Sequence, residues 1–244
     1  MPFLNARNLG KRYGEGPAAV DAVRGVDLDV GRGEFVAVMG PSGSGKSTLL
    51  SLLGALSTPS GGSYTVDGAD ISTLDSEQCA DFRRDTLGFV FQSFHLLPAL
   101  TLMENVMLPL AVTSGSRAEK TARARAALER VGLSGKEDRL PGEVSGGEAE
   151  RAAVARAIVN RPPLLLADEP TGNLDSHNGH RVMELLEDLS RDGVTVVMVT
   201  HSSECASYAH RILHMCDGQI AREELVRPRI ESLPAIEQVP ALAC

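Results

Sequence analysis

A short glycine-rich segment that ends in a lysine and a serine carries the clearest chemistry in this sequence. It is Gly40-Pro41-Ser42-Gly43-Ser44-Gly45-Lys46-Ser47, followed by Thr48, and it fits the pattern G-x-x-x-x-G-K-[ST]. Glycines let backbone N–H groups face phosphate oxygens, the lysine neutralises the β- and γ-phosphates, and the serine hydroxyl can ligate Mg²⁺. The segment predicts a triphosphate and Mg²⁺ site, against the alternative of an ordinary Gly/Ser loop.

A pair of carboxylates, Asp168 and Glu169, directly follows the apolar run Leu164–Ala167. A P-loop needs a second magnesium partner at the end of a neighbouring strand, and Asp168 is predicted to supply it. Glu169 then stands where a general base must polarise the attacking water. The alternative is a solvated acidic turn before Pro170.

These groups can meet only if the strands that precede them end side by side. The runs Phe35–Met39, Leu164–Ala167 and Val194–Val199 are all continuously apolar. Strands this apolar are covered on both faces, as in a parallel sheet. A helix is predicted directly after the glycine-rich segment, because leucines recur there on one helical face: Leu49, Leu50, Leu52, Leu53 and Leu56.

The rest of the chain divides into a β-rich opening, a helical block and a tail. Alternating apolar residues over Phe3–Leu9 and Val26–Val30 predict strands. Between about residues 93 and 160 the signals are helical, and they include capping boxes at Thr101-x-x-Glu104 and Ser116-x-x-Glu119. We predict an α/β domain over residues 1–224, with a helical subdomain at about 93–160, and a loosely attached tail at 225–244.

The composition narrows the classes of partner. The sequence has 24 Lys and Arg and 32 Asp and Glu, so its formal net charge is −8. This charge argues against broad electrostatic binding to nucleic acid or anionic lipid. The cysteines lack metal-binding or disulfide spacing, no signal peptide is visible, and the longest apolar stretch, Leu96–Val112, is too polar to span a membrane. We expect a cytoplasmic chain without nucleic-acid partner or direct membrane insertion.

With these motifs in place, the chain resembles the ATP-binding cassette (ABC) family of transporter ATPases from about Phe3 to Glu223. The segment Val144-Ser145-Gly146-Gly147-Glu148 is similar to the signature motif of that family. The resemblance implies an α/β fold: a P-loop NTPase (RecA-like) core with a mostly parallel sheet, an N-terminal antiparallel β subdomain and an inserted helical subdomain. It also implies ATP hydrolysis by a head-to-tail homodimer, in which the signature segment touches the γ-phosphate held by the partner's P-loop.

Glu148 departs from the family pattern, which usually has Gln at this position. Because Ser145-x-x-Glu148 also fits a capping box, the Glu148 carboxylate can fold back on the cap and stay away from the phosphate. Ser145, Gly146 and Gly147 then open a helix whose free N–H groups point at an anion. The alternative is a helix cap without a phosphate role.

Four further residues match family positions in the same order along the chain. Gln92 resembles the Q-loop glutamine that reaches Mg²⁺ and the attacking water, and His201 resembles the switch histidine at the γ-phosphate. Asp175, in Asn173-Leu174-Asp175, resembles the D-loop at the composite site, and Tyr13 resembles the aromatic residue that stacks on adenine. Taken alone, each has an ordinary alternative as a strand-end, surface or packing residue.

Within the family, Ser93–Pro98 and Pro170–Asp175 are similar to the lipoprotein-release, macrolide-export and cell-division ATPases. The similarity implies a separate transmembrane permease subunit, with this chain peripheral on the cytoplasmic face of the membrane. The apolar segment Phe94–Leu110 is then a candidate docking surface, or else ordinary core of the helical subdomain. A regulatory switch of a cell-division complex that moves no solute stays open as a second function.

Overall fold

Two β-sheets and a set of helices make up residues 1–227, the part of the chain that the computed structural model describes. The strands are β1 Leu4–Tyr13, β2 Val20–Val30, β3 Phe35–Met39, β4 Gly61–Val66, β5 Ala69–Asp70, β6 Leu87–Val90, β7 Leu164–Asp168, β8 Thr195–Val199, β9 Arg211–Cys216 and β10 Gln219–Leu225. The helices are α1 Lys46–Leu53, α2 Ser76–Thr86, α3 Leu102–Met107, α4 Arg117–Arg130, α5 Gly146–Ile158, α6 Ser176–Arg191 and α7 Ser203–Ala206.

The larger sheet has the order β10-β9-β3-β8-β7-β6, and all its neighbouring strands are parallel except the β9–β10 pair. Alternate residues of β3 enter different cores: Phe35 and Ala37 face one, and Val36 and Val38 face the other. This explains why the strand is continuously apolar. The predicted parallel sheet is confirmed, and its order brings the carboxyl ends of β3, β8 and β7 together.

The smaller sheet is antiparallel and has the order β2-β1-β4-β5. Leu4 of β1 lies opposite Val30 on one side and Val66 on the other, and all three side chains are buried. They share a core with the leucines of α1, among them Leu49. This confirms the antiparallel β subdomain expected near the N-terminus.

Helices α3, α4 and α5 pack on one another and form the helical block. The capping boxes at Thr101, Ser116 and Ser145 are all present. After α4 the chain turns at Gly132, whose φ is +71°, a conformation that glycine adopts without strain. The helical signals read from the sequence are therefore confirmed at the level of each helix start.

The apolar segment Phe94–Leu110 is divided between core and surface. Leu102, Val106 and Leu110 are fully buried, whereas Leu97 and Leu108 keep 48% and 39% of their surface exposed. The core interpretation therefore holds for the buried residues, and a docking role for the exposed ones stays a prediction.

The expected tail begins at the last strand of the larger sheet. Leu225 closes β10, and the N–H groups of Val226 and Arg227 both donate to the carbonyl of His210. The remainder of the expected tail, residues 228–244, lies outside the described residues, so the tail stays a prediction.

Candidate nucleotide site

The glycine-rich segment joins the end of β3 to the start of α1. Gly45 precedes the helix with a φ of +99°, and a Cβ built on it would lie 2.2 Å from the Ala22 carbonyl oxygen. A Cβ on Gly40 would lie 2.1 Å from the carbonyl oxygen of Met215. Neither position has room for a side chain, so the path of the loop depends on these two glycines.

The loop curls around the ammonium group of Lys46, which donates to the carbonyls of Gly40 and Pro41 at 2.8 and 3.0 Å. Among the described residues, no side chain caps the N-terminus of α1, so the first N–H groups of the helix remain available to an anion. The Ser44 hydroxyl is buried and has no hydrogen-bond partner among the described residues. The P-loop thus places a cation and free N–H donors around one concave turn.

The carboxylate of Asp168 faces this turn from the end of β7. Ser47 donates its hydroxyl to Oδ1 of Asp168 at 3.3 Å. Burial raises the pKa of Asp168, and the negative charge of Glu169 raises it further, while the Ser47 hydrogen bond and the Lys46 charge act in the opposite direction. The two oxygens predicted to ligate Mg²⁺ are therefore neighbours in the structure.

Glu169 lies one residue beyond the strand, in a left-handed conformation with a φ of +48°. Its N–H donates to the carbonyl of Val199 at 2.9 Å, which ties the end of β7 to the end of β8. Its Oε2 lies 2.9 Å from Nδ1 of His201. The strained backbone turns the carboxylate toward the residues that follow β8, as a residue at a functional site often does.

Gln92 follows β6 and lies against the loop that comes after Glu169. Strand β6 ends at Val90, and the carbonyl of Phe91 then accepts a turn hydrogen bond from the N–H of Phe94. The Gln92 carbonyl accepts a hydrogen bond of 2.8 Å from Nδ2 of Asn173. A Cβ on Gly172 would lie 3.2 Å from Nε2 of Gln92. The structure thus brings the predicted Q-loop and D-loop into contact.

Asp175 caps α6 and accepts hydrogen bonds from the backbone N–H and the side-chain amide of Asn178, at 2.9 and 2.7 Å. These bonds hold the pKa of Asp175 below its usual range. Sequence reasoning missed Asn178, although an Asp three residues before an Asn at a helix start is a capping signal. The role of Asp175 at a composite nucleotide site stays a prediction.

The signature segment opens α5 in the way that the capping box predicts. The N–H of Glu148 donates to Oγ of Ser145 at 3.3 Å, and the N–H of Ser145 donates to Oε2 of Glu148 at 2.9 Å. Lys136 forms an ion pair with the other carboxylate oxygen, and both contacts lower the pKa of Glu148. Sequence reasoning missed Lys136, because nothing in a spacing of twelve residues across a loop indicates a contact.

The two glycines of the signature segment differ in their surroundings. Gly147 is buried, and a Cβ on it would lie 2.4 Å from the side chain of Asn178, so this glycine lets α5 approach the start of α6. Gly146 is exposed, as is Ser145. The start of α5 is therefore accessible from solvent.

Tyr13 ends β1 with 46% of its surface exposed. Nζ of Lys11 lies 5.1 Å from the centre of its ring, a cation–π distance that the sequence did not reveal. An exposed ring can stack on a base, and this role of Tyr13 stays a prediction.

Residues 23–172 match the family model described as ABC transporter. The chain belongs to the ABC transporter family. It is 49% identical over 220 residues to the lipoprotein-releasing system ATP-binding protein LolD of Bordetella pertussis, covering 90% of this chain and 95% of the relative. It is 42% identical over 237 residues to the macrolide export ATP-binding/permease protein MacB of Marinobacter nauticus, covering 97% of this chain and 37% of the relative.

Solved ABC cassettes share the whole architecture. The dimeric post-hydrolysis structure of the ATP-binding cassette MJ0796, bound to ADP and Pi, is 42% identical with a TM-score of 0.85, covering 93% of this chain and 100% of that one. ABC membership and this neighbour make the chain an ATPase with an ABC-type P-loop NTPase fold. Within residues 1–227, no helix combines the length and the apolar character that a membrane span requires.

Proposed function

We propose that this chain is the ATP-hydrolysing subunit of an ABC export or extraction system and that it powers a separate membrane permease from the cytoplasmic face of the membrane. The observation that carries the proposal is the meeting of Lys46, Asp168 and the Glu169–His201 pair at the adjacent ends of β3, β7 and β8. A phosphate-binding cation, a hard oxygen ligand and a held carboxylate are the groups that phosphoryl transfer to water requires.

Mg²⁺ fits the oxygen donors of this site. Ser47 and Asp168 present neighbouring hydroxyl and carboxylate oxygens, the ligand type that Mg²⁺ prefers beside nucleotide phosphates. A divalent cation there also offsets the charge that burial disfavours on Asp168. In this proposal Ser47, Asp168 and the Gln92 side chain hold the ion, and the ion supplies charge neutralisation for the β- and γ-phosphates.

Side chains of this protein carry out the proton transfers of hydrolysis in this proposal. Glu169 accepts a proton from the attacking water, and His201 holds the carboxylate in place from the end of β8 and donates to the γ-phosphate. Lys46 and the first N–H groups of α1 stabilise the charge that develops on the phosphate oxygens. The Tyr13 ring stacks on adenine.

Two copies complete each site in this proposal. Gly146 is exposed at the N-terminus of α5, where the first N–H groups lack acceptors within the helix. A head-to-tail dimer brings these donors to the γ-phosphate on the other copy, with Asp175 and the rest of the D-loop at the interface. The dimeric MJ0796 cassette, all of which is covered by the match to this chain, supports the arrangement.

Three exposed apolar residues that follow the Q-loop along the chain suit contact with a permease. We name Leu97, Leu108 and Val112 the docking patch; they expose 48%, 39% and 71% of their surface. A groove of about 250 Å³ runs beside Val112, with Phe89 and Pro109 among its lining residues. Apolar surface rimmed by charge marks an interface, and this one adjoins the segment that leaves Gln92.

The relatives support a permease carried by another chain. The LolD match covers 95% of a protein named only as an ATP-binding protein, whereas the MacB name joins an ATP-binding and a permease part and the match covers 37% of it. A lipoprotein or another lipid-linked or amphipathic molecule is the substrate class that we infer from the LolD likeness.

The test is a pull-down from native membranes in mild detergent, with Glu169→Gln protein loaded with Mg·ATP and mass spectrometry of the retained proteins. We expect a membrane subunit with few helices and a large external domain, and we expect the same bait with Leu108→Glu added to lose it. Retention of ribosomal or DNA-repair factors, with no membrane subunit, would contradict the transport role and leave the ATPase activity intact.

A further inference from the structure

The turn that follows Gln92 has an unusual backbone. Phe94 and His95 are consecutive non-glycine residues with φ values of +57° and +48°. L-residues rarely adopt this conformation, and two in succession persist only when surrounding contacts hold them. The turn connects Gln92 at the nucleotide site to Leu97 in the docking patch. Contacts that stabilise the backbone of this turn therefore affect the positions of both residues.

Arg156 of α5 provides the contacts. Its Nη1 donates to the carbonyl of His95 at 2.5 Å, and its Nη2 donates to the carbonyl of Phe94 at 2.6 Å. The planar guanidinium thus bridges the two carbonyls of the strained pair with two fixed donors, which a lysine ammonium or an amide cannot reproduce. The same side chain lines the groove beside the docking patch.

Both donating nitrogens of Arg156 bond to backbone carbonyls and not to a carboxylate. The acid whose charge acts on Arg156 is Glu150, which precedes it by six residues in α5 and is 1% exposed. Burial raises the pKa of Glu150 to about 8, so this acid is mostly neutral near pH 7. The guanidinium therefore remains free to serve the two backbone carbonyls.

A second contact holds the other end of the turn. Asn173 donates to the Gln92 carbonyl at 2.8 Å. The turn is thus fixed from the D-loop at its start and from α5 at its end. Because α5 begins at the signature segment, one rigid helix connects Ser145 at the composite site with Arg156 at the turn.

We propose that Arg156 is a positioning residue: it holds the Gln92–His95 turn, so that Gln92 is placed at the nucleotide site and the docking patch is connected to the signature helix. Arg156 touches neither nucleotide nor permease in this role. The kinetic consequence rests on the proposed function, whereas the structural consequence does not.

Hydrogen–deuterium exchange tests the structural part on the full chain. In Arg156→Gln we expect the amides of residues 93–97 to exchange about tenfold faster or more, with those of α1 unchanged. Arg156→Lys keeps the charge but loses the fork, and we expect a smaller increase. The matched control is Arg151→Gln: Arg151 is a half-buried arginine of the same helix whose Nε donates to the Val131 carbonyl instead. Unchanged exchange at 93–97 in both Arg156 variants would overturn the proposal.

Steady-state kinetics tests the second part. A displaced Gln92 should lower kcat about tenfold or more, because small misplacements of catalytic groups are costly, while the affinity for ATP set by the P-loop stays as in the wild type. Equal losses of ATP affinity and kcat, together with a lowered melting temperature, would show general damage and overturn the positioning role. Faster exchange with a wild-type kcat would overturn the connection to catalysis alone and leave the proposed ATPase role intact.

Discussion

Nδ1 of His201 lies 2.9 Å from Oε2 of Glu169, although the two residues follow different strands of the sheet. The backbone N–H of His201 and the hydroxyl of Thr200 point toward the same oxygen, at 3.4 and 3.5 Å. Glu169 keeps 16% of its side-chain surface exposed and His201 keeps 71%. The carboxylate is therefore held from the β8 side while the imidazole stays accessible to a bound phosphate.

The Glu169→Gln variant should bind ATP as the wild type does and lose most of its turnover. The amide preserves the shape of the site but cannot accept a proton, and a general base contributes about 10²–10⁴-fold to a rate. Phosphate release measured beside equilibrium nucleotide binding separates the two effects. Wild-type turnover in this variant would remove Glu169 from the proton step.

The Gly40→Ala variant should lose both nucleotide affinity and stability. Its Cβ would lie 2.1 Å from the Met215 carbonyl oxygen, so the backbone must move, at a cost of about 1–3 kcal/mol for an overpacked site. Nucleotide titration and thermal unfolding check both effects. Gly142→Ala is the matched control, because a Cβ there meets nothing within 4 Å, and its behaviour should stay close to the wild type.

The protonation of Glu150 should make the stability of the protein depend on pH. Burial raises its pKa to about 8, from 4.5 for the free side chain, and its Oε1 has no hydrogen-bond partner among the described residues. Between these values the folded state keeps a proton that the unfolded state releases, so stability should fall as the pH rises from 5 to 8. The slope is at most about 1.4 kcal/mol per pH unit.

Chemical denaturation at several pH values measures this slope, and substitution of Glu150 by Gln should flatten it in the same window. Glu129→Gln is the control, since Glu129 is an exposed glutamate of α4 and its loss should leave the profile unchanged. If wild type and Glu150→Gln showed the same slope, Glu150 would be ionised in the folded state.

The Glu148→Gln variant should keep its ATPase activity. A glutamine oxygen can still accept the Ser145 N–H bond, so the helix cap survives, and only the ion pair with Lys136 is lost. Partly exposed pairs contribute about 0–1 kcal/mol, so the melting temperature should change little. Loss of activity would show that the carboxylate itself acts at the composite site.

Local patterns in the sequence were sufficient to predict several features of the fold and of the nucleotide site. The P-loop, the carboxylates after β7 and the capping box at Ser145 each depend on residues within a few positions of one another. Contacts across long separations were not predictable in this way: Arg156 reaches Phe94 over 62 positions. Spacing contains no information about which helix face will meet which loop.

Asn105 is a second residue whose contacts could not be predicted from the sequence. In the sequence it stands as a polar residue within the apolar stretch Leu96–Val112. In the structure it is fully buried, and its amide nitrogen donates to the carbonyls of Leu97, Leu100 and Thr101. These hydrogen bonds hold the loop before α3 against the helix. Their formation depends on the folded path of the loop, which no local sequence pattern predicts.

The proposed homodimer requires two chains to complete each ATP site, and the mass of Glu169→Gln protein in solution tests this requirement. Light scattering with Mg·ATP should give twice the chain mass of 25.9 kDa, and removal of ATP, or addition of Gly146→Trp at the signature segment, should return the value to one chain. A mass of one chain at every ATP concentration, from protein whose wild type hydrolyses ATP, would contradict the composite site.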